Sequence, residues 1–249
     1  AVNKVKYAGA VPMCGVMGDT QLFNYFAAYQ LAAQQLAGVP TATDFASVRM
    51  TLMTALFTNY PVETTPLGDK LKNIVANLTG GDRPGFAQGF AAKMWQDAVW
   101  ATFGGDGRIN GILNMPVTDT REIVYQLDFD PAQSAEEQQF NMMVPRVMPA
   151  ADANGLRPDG LRWIPVVNGE FDVPVVTLHT LGDLYVPFEM QRIYRERAMA
   201  KGSADKLVQR AVRATGHCEF TYNEQVAAFQ ALVDWEQKGT KPEGDDIMT

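Results

Sequence analysis

Two stretches in the last third of the sequence limit the possible folds more than any other feature. DVPVVTLHTL at 172–181 is a nearly continuous apolar run rich in β-branched residues, followed by GDLYVP and then by helical spacing from about Phe188 to Lys201. KLVQRAVRAT at 206–215 starts the same order again. It leads into the loop GHCEFTYNE and then EQVAAFQALVDWEQKG, whose Val226, Phe229, Leu232 and Val233 predict an amphipathic final helix. Strands buried on both faces read as unbroken apolar runs, and repeated strand, loop and helix units with short connections predict a parallel sheet covered by helices.

The opening VKYAGAVPMCG, ending at Pro12 and Gly15, predicts one more buried strand followed by a loop. From Asp19 to Gly38 a polar start, apolar residues at helical spacing and a closing glycine predict a helix. Further helices are expected at about 44–58, 67–78 and 86–103, separated by Pro61, Gly80-Gly81 and the GGDG at 104–107. Residues 110–170 lose this regularity: REIVYQL at 121–127 is strand-like, and turn residues fill Asp152–Gly155 and Arg157–Gly160. A calcium loop at Asp152 to Asp159 is rejected, because Gly155 falls at the fourth position where an EF-hand needs glycine at the sixth. The α/β fold read here therefore has a core of 1–18 and 172–249, with 19–171 as a large, mostly helical insertion.

At 47% apolar over 249 residues the chain can bury a sizeable core, so disorder is not expected. A net charge of -7 and the lack of any basic run argue against nucleic acid as a partner. No run of about 18 apolar residues predicts a membrane span, and the N-terminus lacks the pattern of a signal peptide. With only two cysteines, Cys14 and Cys218, and two histidines, His179 and His217, no metal or other cofactor is expected.

In open α/β sheets the functional groups lie beyond the carboxyl ends of the strands. Asp183 and His217 each stand in a loop directly after a predicted strand. A carboxylate that accepts the Nδ1 proton of an imidazole fixes its tautomer and stabilises the imidazolium formed during reaction. Taken alone, each residue reads more readily as a helix cap or a structural histidine; it is the pair that points to acid–base chemistry.

PVVTLHTLGDLYVP, followed some thirty residues later by ATGHCEF, resembles the acid-bearing and base-bearing strands at the end of an α/β-hydrolase, in which chain order runs Ser, then Asp or Glu, then His. The resemblance covers roughly 5–18 and 172–238 and implies Asp183 as triad acid, His217 as triad base, and 19–171 as a cap over the site. The chain departs from the family at the nucleophile: G-x-S-x-G is missing, and the three serines Ser47, Ser134 and Ser203 fall in a helix, a polar segment and a turn. Cys14 does not replace it, since no strained strand-to-helix turn is encoded around it. The resemblance thus implies that an upstream segment or a second, N-terminal companion chain carries the nucleophile, released by cleavage of a precursor in the simplest case. Three strands alone would leave a bare sheet edge.

His217-Cys218 also matches half of a feature of the tannase and feruloyl esterase relatives, in which the cysteine after the triad histidine is disulfide-bonded to one beside the nucleophile. The partner of Cys218 could lie outside this sequence or be Cys14; two buried free thiols are the other reading. A bridge implies a secreted or periplasmic protein, and free thiols a cytoplasmic one. His179, inside the strand before Asp183, is expected to shape the acid loop, and Glu219 to begin the final helix. Phe23, Tyr25, Phe26, Trp95, Trp100 and Phe103 are read as the insertion's own core rather than a substrate pocket. The resulting expectation is a serine-type hydrolase of small-molecule carboxylic esters that needs no cofactor. An amidase, epoxide hydrolase or dehalogenase of the same architecture, or a non-catalytic binding protein that kept the fold, remain as alternatives.

Overall fold

The computed structural model describes residues 6–42, 44–103 and 116–248. The predicted breaker at 104–107 and the first residues of the opening strand lie outside them.

Two parallel strands carry the site: β3 (Val175–Thr180) and β4 (Leu207–Val212), in register from Val175 opposite Leu207 to Thr180 opposite Val212. Every β3 residue is buried, as its unbroken apolar and β-branched sequence requires. Where an opening strand was expected, Ala10 and Met13 make single parallel bridges to Val175 and Leu178. Pro12 between them has no N–H to donate, which interrupts the ladder. Helix α7 (Glu189–Lys201) covers one face through Tyr194 and Ala198, packed on Val175 and Leu207. Helix α8 (Tyr222–Lys238) covers the other through Ala228 and Leu232, packed on Val176, Leu178 and Val208.

Both helices end at a glycine, Gly202 and Gly239, in the left-handed region at φ 74° and 72°. At the start of α8, Thr221 and Glu224 cap each other reciprocally. The apolar face of α8 differs from the expected one. Leu232 is buried together with Ala228, whereas Val226 and Phe229 are exposed.

Between residues 19 and 171 the described helices are α1 (Gln21–Ala37), α2 (Phe45–Leu56), α3 (Pro66–Leu78), α4 (Phe86–Ala91), α5 (Lys93–Ala101) and α6 (Ala135–Met143). A short antiparallel pair, β1 (Phe57–Asn59) with β2 (Glu63–Thr64), replaces the end of the helix expected over 44–58. The helix expected over 86–103 is two helices, separated at Ala92, which is extended at ψ 108°. The Gln96 side chain donates to Phe90 O at 2.8 Å across that break.

REIVYQL is not a strand. Its backbone is claimed by side chains of α6: Asn141 accepts from Tyr125 N at 2.9 Å and donates to Tyr125 O at 2.7 Å, and Glu137 accepts from Leu127 N at 2.7 Å. A segment whose polar groups are met this way needs no sheet partner. One apolar cluster joins α1, α2, α3 and α5 to Leu184, Val186 and Met190 just beyond β3, so these helices pack directly on the loop that carries Asp183.

Candidate active site

β3 delivers Asp183 into a fully buried turn, where the carboxylate has two sets of partners. Oδ1 accepts from the backbone N–H of Tyr185 at 2.9 Å and of Val186 at 2.8 Å. Oδ2 accepts from His217 Nδ1 at 2.7 Å. Hydrogen bonds to both oxygens fix the plane of the carboxylate.

β4 ends at the loop carrying His217, and the two loops are stitched together. Leu181 N donates to Val212 O and Gly182 N to Ala214 O, each at 2.9 Å. Thr180 Oγ1 donates to Gly216 O at 2.7 Å. Gly182 is needed for this approach, since a Cβ there would lie 2.6 Å from Gly85 O and 2.7 Å from Thr215 Cα.

The His217 side chain is 25% exposed. Its ring meets Trp95 and Tyr185 edge to face, with centroids 5.9 and 5.7 Å away. Because Nδ1–H is given to Asp183, the neutral ring keeps its lone pair on Nε2 and can accept a proton there. Cys14 and Cys218 form a disulfide, with Cα atoms 5.3 Å apart. Cys218 Sγ lies 3.4 Å from Nε2, and a disulfide sulfur has no proton to offer it.

Glu219 does not begin the final helix, which starts at Tyr222. Its Oε2 accepts from Gly216 N at 2.7 Å and Thr215 N at 3.1 Å and so shapes the base loop. Those N–H groups have no partner within a strand or helix, and a nearby carboxylate meets their need better than a helix start would.

Under the acid lies a buried polar chain. His179 Nε2 donates to Val186 O at 2.8 Å and sits 3.8 Å from Asp183 Oδ2. Its Nδ1 accepts from Gln191, which is in turn bonded to Thr177 and Gln209. Burial pushes the His179 pKa down, and the Asp183 charge opposes that only in part. The imidazole is therefore a neutral brace for the acid turn. Gln191 and Gln209 carry no sequence signal for this role beyond being polar residues in apolar surroundings.

Arg83 was missed by sequence reasoning. It donates from Nε to Leu181 O at 2.6 Å and from its guanidinium to Gly81 O at 2.9 Å. Burial pulls its pKa down to about 10, against the opposing charge of Asp183. It places a cation beneath the acid loop. The aromatic residues divide. Tyr25 and Trp100 are buried, and Tyr25 donates its hydroxyl to Leu184 O at 2.8 Å. Trp95 reaches His217 itself.

None of the serines is near this arrangement. Ser47 donates to Asp44 O, Ser134 caps α6 with Glu137, and Ser203 accepts from Phe171 N. Among the described residues, no helix is long and apolar enough to cross a membrane.

The chain is 32% identical over 83 residues to an o-phthalyl amidase of Xanthobacter agilis. The match takes in 32% of this chain and 18% of that protein, so it spans less than a fifth of the relative's length. No family model matches the chain, and no solved structure matches it. A hydrolase is thus a distant relative of part of this sequence.

Proposed function

We propose that the chain supplies the acid and base of a serine-type acyl hydrolase of α/β-hydrolase architecture, in which 1–18 and 172–249 belong to the core and 19–171 form the cap. The observation that carries this reading is the 2.7 Å hydrogen bond from His217 Nδ1 to a fully buried Asp183 carboxylate, with Nε2 left as proton acceptor. His217 takes the proton of a serine hydroxyl as it attacks a carbonyl carbon, then returns it to the leaving group; Asp183 holds the ring in place and stabilises the imidazolium. The serine belongs to a segment outside these residues, because all three serines of the chain are engaged elsewhere.

A carboxylic ester and a carboxylic amide both suit this chemistry, and they differ in the leaving group that must be protonated. The likeness to an amidase favours the amide. The Cys14–Cys218 disulfide supports an oxidising compartment, that is, a secreted or periplasmic protein.

The test is fluorophosphonate labelling of the natural, full-length product, followed by mass spectrometry of every polypeptide present. A labelled serine is expected outside residues 1–249, and Asp183→Asn should slow its labelling by roughly 10⁴-fold, the scale on which a triad acid acts. A labelled serine whose rate ignores both Asp183→Asn and His217→Ala, or no labelled serine at all, overturns the assignment. Matched ester and anilide substrates then decide between the two leaving groups.

A further inference from the structure

The helix that brings Trp95 to His217 carries a second group of side chains on its other side. Lys93, Asp97 and Trp100 follow one another by four and three residues, which puts them on the face of α5 opposite Trp95. With Phe45 and Arg49 of α2, and with Tyr60 just after β1, they line a cleft of about 250 Å³. Because α5 stands between this cleft and His217, the two are separate places on the molecule.

The charges of the cleft do not balance. Asp97 is engaged at both oxygens: Oδ1 accepts from the Tyr60 hydroxyl at 2.7 Å, and Oδ2 accepts from Lys93 Nζ at 2.5 Å. Lys93 also stands over the Tyr60 ring, 5.8 Å from its centroid. That acid and that base offset each other. Arg49 is left over, since among the described residues its guanidinium makes no hydrogen bond or ion pair. One positive charge therefore remains in the cleft of a chain whose net charge is -7. Beside it lies a flat aromatic wall, in which Phe45 and Trp100 stack with 7° between their planes and 5.3 Å between centroids. Trp100 is held rigidly, being 2% exposed and met edge-on by Tyr29 at 4.9 Å.

We propose that this cleft binds a small aromatic carboxylate, with the carboxylate in the fork of Arg49 and the ring against Phe45, Trp100 and Tyr60. A guanidinium presents parallel N–H donors that match a carboxylate, and a ring packs best on other rings. The volume falls below the roughly 300–1,000 Å³ of sites for drug-sized ligands, so a single ring with its acid group suits it. A cationic ligand is a poorer fit, because Lys93 already takes both Asp97 and the Tyr60 ring while Arg49 repels it. Inorganic phosphate is poorer too: it brings more charge than one free cation meets and leaves the aromatic wall unused.

The inference does not rest on the hydrolase reading, and its test needs no activity. Calorimetric titration of the natural full-length product compares benzoate with acetophenone, which keeps the ring without the charge, and with acetate, which keeps the charge without the ring. Benzoate should bind roughly tenfold or more tightly than either, the scale of one charge-assisted pair or one buried ring. Arg49 is exposed and unpaired among the described residues, so Arg49→Gln should keep the fold. It should weaken benzoate by roughly tenfold and leave acetophenone as it was. His217→Ala should change neither. The proposal is overturned if benzoate does not bind, if it binds the parent and Arg49→Gln equally, or if inorganic phosphate binds as tightly, which would make the cleft a general anion site. Benzoate binding that disappears in His217→Ala places the ligand at the acid–base pair and overturns it as well. Binding that depends on Arg49, in a protein without a fluorophosphonate-reactive serine, keeps this site and removes the hydrolase.

Discussion

The loop of Asp183 and the loop of His217 are bonded to each other, yet they are built in opposite ways. Asp183 lies in the interior: Tyr25, Arg83 and His179 each bond a carbonyl of residues 181–186, and Leu184 and Val186 belong to the largest apolar cluster. His217 is a quarter exposed, and its loop is held by Glu219, Thr180 and the disulfide to Cys14. The acid is thus placed by the packing that holds the protein together, and the base by a few polar and covalent ties near the surface. Damage to the acid side should register first as lost stability, and damage to the base side as lost activity.

Gly182→Ala tests the acid side with the largest effect. The added Cβ would sit 2.6 Å from Gly85 O and 2.7 Å from Thr215 Cα, both backbone atoms that cannot swing aside. Relief requires the acid loop to part from the base loop, at a cost of about 3 kcal/mol on the scale of overpacked cores. Urea denaturation should show a clearly lower midpoint. A midpoint within error of the parent means that the loops part freely and that the contrast between them is wrong.

Glu219→Gln addresses the base side. The amide keeps a carbonyl oxygen for Gly216 N or Thr215 N but gives up the charge-assisted bonds, so stability should fall by only about 1 kcal/mol. His217 then loses part of its alignment with Asp183, and fluorophosphonate labelling should slow by roughly tenfold or more, as for a misplaced catalytic group. A large loss of stability with labelling unchanged would reverse the comparison.

How much of this was legible in the sequence depended on how local the cause is. β3, β4, α7 and α8 are written in runs of neighbouring residues, and the two helices stop at Gly202 and Gly239. Asp183 and His217 could be singled out because each follows its own strand directly. Arg83 is 98 residues from its acceptor Leu181, and Trp95 meets His217 from a different helix; only the folded chain relates them. In α8 the periodicity of Val226 and Phe229 is real, but periodicity does not say which of two apolar faces meets the sheet, and small Ala228 took the inner place. REIVYQL has the side chains of a strand, but Asn141 and Glu137 on the next helix, α6, satisfy its backbone instead.

The smallest expected effect concerns the brace beneath the acid. His179 is fully buried, and burial holds its pKa below the usual value of about 6.5. In the unfolded chain the same imidazole takes up a proton as pH falls through that value, while in the fold it stays neutral. The unfolded state then binds more protons, so this contribution to stability is fully present above pH ~6.5, shrinks as pH falls below it, and stops shrinking once the folded pKa is passed. The slope from one such group cannot exceed about 1.4 kcal/mol per pH unit. His179→Gln should remove that slope whatever it costs in absolute stability, because glutamine does not titrate. Urea midpoints of the parent and of His179→Gln, compared between pH 7.5 and 5, should converge as the pH is lowered. Parallel curves would show that His179 takes up its proton as readily in the fold as outside it, and that the acid rests on a charged neighbour rather than a neutral one.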